Sequence, residues 1–212
     1  MAVRAPTLRM TRGELFQVKP ELFLLIIAQY PFLTAADIDK LLELYPNDPA
    51  LGVPYGRLDG AVFPELGLQW RRTASISGDI LMIAPTRWTA QTLSRSVPPV
   101  YKYRFNVTNP LLGLPEPFGA AHAVEIGYVW STPPLRVTPE MARVVDVMSR
   151  SWLSFFVHLD PNYHGLTGVP QWPKYSEEGT EFHVKIDSIE VEPDDYRYEG
   201  IKFINSVKER NI

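Results

Sequence analysis

One histidine stands in a setting that suits acid–base chemistry. His122 lies in stretch 119–130, with small residues before it and Glu125 and an aromatic-rich run after it. Small residues let the backbone turn tightly and approach a neighbour closely, so this stretch predicts a loop. Residues 100–105, shortly before it, are rich in β-branched and aromatic side chains and predict a strand. An imidazole in a loop after a strand can accept a proton and later return it.

The other metal-ligating or nucleophilic side chains form no recognisable site in the sequence. The chain has no cysteine, which excludes disulfides, thiol catalysis and cysteine-based zinc sites. Three further histidines are too differently spaced for a zinc site: His158, His164 and His183. Several acids near the C-terminus lack calcium-loop spacing and predict a solvated acidic face: Asp187, Glu190, Glu192, Asp194 and Asp195. We therefore expect no metal and no cofactor.

Composition places the chain among ordinary globular proteins. Its 212 residues are 45% hydrophobic and 21% charged, so they can bury a sizeable core, and we expect a single domain over residues 1–212. A net charge of -3 without a basic run argues against a nucleic-acid partner. The longest apolar run, residues 22–28, is too short to span a membrane. The N-terminus has no signal-peptide pattern, which predicts a cytoplasmic location for the chain as written.

Two helices are indicated by their start and stop signals. Thr34, with Asp37 three residues on, predicts an acidic capping box, and Pro46 ends this helix. Thr138, followed by a proline, starts a long amphipathic helix that ends near Leu159. Their apolar stripes predict core contacts: Ile38, Leu41, Leu42 and Tyr45 in the first helix, and Met141, Val144, Val145, Met148, Trp152, Phe155 and Phe156 in the second.

Further elements lie between and after these helices. Asp79 is predicted to cap a helix that Pro85 kinks. Residues 183–186 and 189–191 alternate as two short strands do, and residues 196–207 predict a final helix.

Three separate motifs carry a resemblance to a known family. Stretch 119–130 resembles the histidine loop of the type B carboxylesterase/lipase (cholinesterase-like) family of α/β-hydrolases, roughly G-x-x-H-G-x-E-[IL]-x-[YF]-[VF]-[FW]. The matching residues are Gly119, His122, Glu125, Ile126, Tyr128, Val129 and Trp130, while Ala123 replaces the usual glycine. Residues 152–162 with 171–175 resemble the family's signature W-x-x-F-x-x-x-x-D-P-N then W-P-x-Y, and residues 78–88 resemble its G-D-x-x-[FM]-x-x-P-[TA]-R helix. The likeness is greatest to fungal members.

The resemblance implies an α/β fold and hydrolysis of small carboxylic esters through an acyl-enzyme, without cofactor or metal. It assigns His122 as the base that takes the proton of a serine nucleophile. The family's acid sits in a loop of the form [DN]-E-G-x-x-F. When Gly13 and Phe16 are aligned with that loop, Arg12 falls at the acid position and Glu14 is displaced by two residues.

The nucleophile is missing from the sequence. No G-x-S-x-G elbow and no glycine-rich oxyanion stretch occurs, and residues 75–79 lack the glycines that would flank such a serine. We therefore expect residues 1–212 to form one partial domain, the C-terminal portion of an α/β-hydrolase fold. It would comprise the last sheet strands plus packing helices, with the N-terminal nucleophile half absent.

Three functional interpretations remain open. The chain is a carboxylesterase-like fragment that is inactive alone, a non-catalytic cholinesterase-like interaction module, or one half of a two-chain hydrolase whose partner supplies the serine. Family members are often secreted, so the resemblance implies an extracellular location if a longer N-terminus exists. Phe118 and Trp130 flank the histidine, and we expect Trp130 to pack in the core.

Overall fold

The computed structural model of the chain describes residues 30–51, 61–97, 99–114, 118–176 and 179–210. The chain divides into two compact units. The first combines the residues up to Leu81 with residues 199–212, and the second spans residues 82–198. Arg12 and Glu14, on which the prediction for the triad acid rests, lie outside the described residues. Among the described residues, no helix is long and apolar enough to cross a membrane.

The first unit contains α1 (Ala35–Leu44) and α2 (Trp70–Gly78). The predicted capping box of α1 is confirmed, because the backbone N–H of Asp37 donates to Thr34 Oγ1 and the backbone N–H of Thr34 donates to Asp37 Oδ2, at 3.2 and 3.0 Å. The predicted apolar stripe is also confirmed, since its members are all buried: Ile38, Leu41, Leu42 and Tyr45.

Asp79 does not cap a helix. The helical backbone already begins at Trp70 and continues through a π-helical turn, Asp79–Ile83, into α3 (Ala84–Ser94). Asp79 is fully buried, and its carboxylate accepts a hydrogen bond of 2.7 Å from the Tyr45 hydroxyl. Pro85 has no backbone N–H, so it interrupts the regular hydrogen bonds of the helix. The π-helical turn lies directly before this interruption.

The second unit is built on a sheet of three described strands in the order β1-β2-β3. They are β1 (Tyr103–Asn106), β2 (Thr180–Lys185) and β3 (Ile189–Pro193). β1 pairs with β2 in parallel, with Tyr103 opposite Phe182 and Arg104 opposite His183, and β2 pairs with β3 antiparallel. The sequence predicted all three strands, with boundaries displaced by a few residues.

Side-chain alternation gives the sheet an apolar face and an ionic face. Phe182 and Val184 are buried on the apolar face, and the partly buried rings of Tyr103 and Phe105 pack there as well. The long helix α5 (Pro139–His158) adds the core residues Val144, Val145, Val147 and Met148. A final helix, α6, spans Tyr198–Glu209.

Helix α5 starts as predicted, with the backbone N–H of Met141 donating to the capping Thr138 hydroxyl at 3.2 Å. It ends at Leu159, whose φ of 56° lies in the left-handed region. One part of the predicted stripe is wrong, because Phe156 is exposed rather than in the core. Helical geometry turns Phe156 away from the face that carries Val144 and Met148.

Candidate functional site

His122 lies in the loop that follows β1, at the carboxyl end of that strand. The loop runs from residue 107 to residue 125 and ends in a short helix, α4 (Ile126–Val129). In α/β sheets, residues beyond the carboxyl ends of parallel strands commonly form the site. The His122 side chain is exposed, and within the described part of the chain no hydrogen bond or ion pair joins it to another residue.

The backbone on both sides of His122 adopts left-handed conformations. Gly119 has a φ of 56° and Ala123 a φ of 67°. Glycine takes this conformation without cost, whereas an alanine there costs about 1 kcal/mol. Ala123 occupies the position where the histidine-loop pattern has glycine, so the φ value gives a physical reason for that glycine.

Asn109 fixes the chain just after His122. Its side-chain Nδ2 donates to the backbone carbonyl of Val124 at 3.0 Å, and its Oδ1 accepts from the backbone N–H of Leu111, also at 3.0 Å. Asn109 and Val124 are both buried. One amide side chain therefore ties the two limbs of the loop together, and the sequence analysis did not identify it.

Helix α4 is held as firmly. The fully buried Tyr128 donates from its hydroxyl to the carbonyl of Thr108 at 2.7 Å, and its ring lies 5.2 Å from the Phe105 ring. Gly127 leaves no room for a side chain, because a Cβ there would lie 2.8 Å from Leu135 Cδ1 and 3.2 Å from Asn109 Nδ2. The chain is thus anchored just after the histidine, while the histidine side chain itself is exposed.

The two aromatic residues that flank the histidine are both exposed. Trp130 is 78% exposed, so the prediction that it packs in the core is wrong. Phe118 is exposed as well. Burial, followed by the charge of the Glu125 carboxylate, raises the pKa of Tyr103 to about 12.

The C-terminal signature residues build the scaffold rather than the chemistry. Asn162 Oδ1 accepts from the backbone N–H of Trp172 at 2.7 Å, and Asn162 Nδ2 donates back to the Trp172 carbonyl at 3.0 Å. The Trp172 indole N–H donates to the Lys102 carbonyl at 3.0 Å, and its ring stacks on Phe182 with centroids 4.6 Å apart. The two halves of the signature therefore meet, and they fasten a loop to the sheet.

A buried ionic network covers the opposite face of the sheet. Asp194 accepts two hydrogen bonds from Arg87, of 2.7 and 3.0 Å, and lies 3.1 Å from Lys102 Nζ. Lys102 also contacts Glu181, and Tyr175 donates from its hydroxyl to Asp194 at 2.8 Å. Each of these five side chains is buried.

The predicted solvated acidic face is therefore wrong in part. Asp187, Glu190 and Asp195 are exposed, whereas Asp194 is buried in the network and Glu192 is partly buried beside Arg104. Lys102, just before β1, and Arg104, within it, alternate with aromatic residues, a pattern from which a charged buried face could have been predicted.

The pKa values of the two carboxylates in the network are shifted in opposite directions. Burial alone would raise the pKa of Asp194, but hydrogen bonds from Arg87 and Tyr175 and the charge of Lys102 bring that pKa below its ordinary value. Burial, together with the neighbouring Asp194 charge, raises the pKa of Glu181 despite the opposing charge of Lys102.

His183 is the second histidine of structural interest, and it is fully buried in β2. Arg104 Nη2 lies 3.1 Å from His183 Nδ1, and Glu192 Oε1 lies 3.0 Å from the same nitrogen, so the ring contacts side chains from both neighbouring strands. Burial, followed by the charges of Arg104 and Lys185, lowers the pKa of His183 to about 3. The ring is therefore neutral at physiological pH and holds the sheet together.

No group of three or more potential metal ligands occurs among the described residues. His158 lies at the end of α5 with its ring 5.0 Å from the Tyr163 ring. His164 Nδ1 accepts from the backbone N–H of Leu166 at 2.9 Å, a local turn contact.

The architecture defines the class of protein. The structure of EstA from Aspergillus niger superposes with a TM-score of 0.75 at 17% sequence identity, covering 92% of this chain and 37% of EstA. This likeness shows an α/β-hydrolase fold, with the small sheet of β1, β2 and β3 as part of it.

The family follows from the sequence comparisons. The chain belongs to the carboxylesterase family, whose model, described as "Carboxylesterase family", matches residues 69–203. That range contains the histidine loop, helix α5 and the C-terminal signature.

Fungal lipases are among the similar proteins. Secreted lipase 4 of Gibberella zeae is 31% identical over 174 residues, covering 80% of this chain and 29% of the lipase. Lipase 4 of Diutina rugosa is 32% identical over 141 residues, covering 66% of this chain and 22% of the lipase. The chain thus spans less than a third of the length of these curated relatives.

Proposed function

We propose that this chain supplies the histidine-bearing C-terminal part of a serine-type carboxylic-ester hydrolase, with His122 as the general base. In such an enzyme the histidine takes the serine proton as the hydroxyl attacks the ester carbonyl, and then gives that proton to the leaving alcohol. Water, deprotonated by the same imidazole, releases the acid from the acyl-serine. The substrates would be small-molecule esters, and no cofactor takes part in these steps.

The observation that carries this proposal is the contrast between a fixed loop and an exposed imidazole. The Asn109 clamp and the Tyr128 anchor hold the backbone just after His122 to residues 108 and 109, and the His122 side chain is exposed. A general base must be held in position and must also reach a group that lies outside its own loop.

We further propose that residues 1–212 do not turn over esters alone. The sequence contains no G-x-S-x-G elbow, and Arg12 aligns where the family has its acid. The serine would come from further residues of a longer protein or from a second chain. The name Secreted lipase 4 of the Gibberella relative supports an extracellular location for the complete protein, which cell fractionation would test.

Labelling with a fluorophosphonate serine-hydrolase probe tests the inactivity. We expect no labelling of the purified chain and none of His122→Ala. If the chain were labelled and His122→Ala were not, a serine within these residues would be activated, and the proposal of an inactive part would be wrong.

A graft tests the role of His122. Residues 69–203 would replace the matching segment of a complete fungal relative, Lipase 2 of Geotrichum candidum, so that the host supplies the other catalytic residues. Removing a triad member costs about 10³-fold or more in turnover, so we expect His122→Ala to abolish hydrolysis of p-nitrophenyl butyrate by an otherwise active graft. His158→Ala, another exposed histidine, is the matched control and should keep activity within about twofold.

A non-catalytic interaction module is the second candidate. Arg12 at the acid position and the exposed Trp130 beside the histidine favour it, because a module that only binds needs no acid and uses exposed aromatic residues. The module becomes the better interpretation if the graft folds but is inactive. A smaller graft, in which only the host's histidine loop is replaced by residues 119–130, should then be inactive as well.

A further inference from the structure

The outward face of α5 changes character along its length. As far as Arg150 it presents polar side chains, among them Arg143 and Arg150 itself, both exposed. Its last turns instead present Leu153, Phe156 and Val157, which share one side of the helix at i, i+3 and i+4 spacing.

The apolar surface continues past the end of the helix. The exposed Leu159 follows, and the Tyr163 ring lies 5.0 Å from the His158 ring. Trp152, half-buried, extends the surface inward with its ring 6.0 Å from Phe156. The end patch is defined here as five large apolar side chains that are 63 to 71% exposed: Leu153, Phe156, Val157, Leu159 and Tyr163.

We propose that the end patch of α5 is an interface with a second copy of this chain, forming a symmetric dimer. The area supports a pair of copies. Two aromatic and three aliphatic side chains at this exposure present on the order of 500–600 Å² per copy, and two copies would bury on the order of 1,000–1,200 Å², where specific interfaces begin. The largest apolar patch on a typical monomer covers about 300–600 Å² and is often functional, and the end patch lies at the upper end of that range.

Charge placement supports an antiparallel arrangement. With a two-fold axis near Phe156, Leu153 of one copy faces Val157 of the other, and the two Phe156 rings lie beside the axis. The same axis brings Arg150 opposite the end of the other copy's α5, where Asp160 and the last helix carbonyls carry negative charge. A two-fold interface must be self-complementary, and this helix end has both members of the pair.

The test is the oligomeric state of the full chain, measured by sedimentation velocity from about 1 to 100 µM. We expect a monomer–dimer equilibrium that Val157→Lys weakens at least about tenfold, because symmetry places the new charge in the interface twice. Val137→Lys is the matched control: Val137 is 67% exposed against 66% for Val157, and it precedes the opposite end of α5. It should leave the dimer constant within about twofold.

A second variant tests the geometry. Arg150→Glu would place like charges opposite one another and should weaken the dimer about three- to tenfold at low salt, with a smaller effect in 0.5 M NaCl. Thermal unfolding of every variant confirms that it is folded. A monomer throughout the concentration range, an equal response to Val137→Lys, or assembly of indefinite size would overturn the proposal, and it does not depend on the role of His122.

Discussion

His122 and His183 are the same side chain in opposite surroundings. His183 lies in the middle of β2, fully buried, with Arg104 against its ring and a pKa lowered to about 3. His122 lies in a loop, exposed, between Gly119 and Ala123, which both have positive φ values. The structure thus uses one histidine to hold the sheet and leaves the other available.

The comparison extends to the supports of each histidine. The ionic network around the sheet is made of charged side chains that neutralise one another, whereas the histidine loop is held by backbone-directed contacts from Asn109 and Tyr128. Burial, with the charges beside it, lowers the pKa of His183. In the loop, by contrast, neutral clamps decide where His122 stands.

The network should be the more sensitive of the two regions. Asp194→Asn removes the negative charge that Arg87 and Lys102 share in the interior, and leaving buried charges uncompensated costs about 3–5 kcal/mol. We expect this loss in the free energy of unfolding measured with urea. The neighbouring exposed Asp195→Asn should change it by less than about 0.5 kcal/mol, and similar losses in both variants would contradict the assignment.

Acid should weaken the protein through His183. The pKa of His183 is lowered from 6.5 to about 3, so the unfolded chain binds the proton first as the pH falls. Stability is therefore present above pH 6.5 and is lost progressively between about pH 6.5 and pH 3, by about 2 kcal/mol between pH 7 and pH 5.

An exposed histidine, His158, is the control for this pH dependence. His183→Gln should flatten the profile of unfolding free energy between pH 7 and pH 5, whereas the exposed His158→Gln should leave its slope unchanged. A wild-type profile that is already flat in this range would count against a buried neutral ring.

Adding a single methyl group where the histidine loop packs should change the free energy of unfolding. Gly127→Ala brings a Cβ to within 2.8 Å of Leu135 Cδ1, and overpacking of this kind costs about 1–2 kcal/mol. Gly78→Ala, also in a helix but with no atom within 4 Å of the new Cβ, should instead stabilise by about 0.5–1 kcal/mol. Urea unfolding of the pair measures the difference, and equal effects would mean that the loop packs differently.

The smallest effect is expected at the strained residue next to His122. Ala123→Gly relieves a φ of 67° and should stabilise by about 0.5–1 kcal/mol, while Ala121→Gly, whose φ is not positive, should be neutral or destabilising. If both substitutions destabilise, the left-handed conformation at Ala123 is not the native one.

Much of the fold could be predicted from local signals. The capping box at Thr34 and Asp37, the start of α5 at Thr138, and the three strands were read from patterns that act over a few residues. The family was predicted from three motifs, and the comparisons confirm it. His122 remains a prediction whose test is the graft.

Two of the errors share one cause. Asp194 was predicted to be solvated and Asp79 to cap a helix, and both outcomes depend on residues distant in sequence. Asp194 is buried because Arg87, in α3, meets it, and Asp79 is satisfied by Tyr45 from α1. A pattern over a few neighbouring residues does not reveal partners that are distant in the sequence.

The sequence by itself determined the family and the order of the elements, because motifs and caps are set by neighbours along the chain. The tertiary structure alone decided which charges are buried and which apolar residues remain exposed at the end of α5. It also explained the glycine in the family's histidine loop, since the φ at Ala123 depends on how Asn109 and Tyr128 hold the loop. Burial and backbone strain are properties of contacts between distant residues, and only the folded chain contains them.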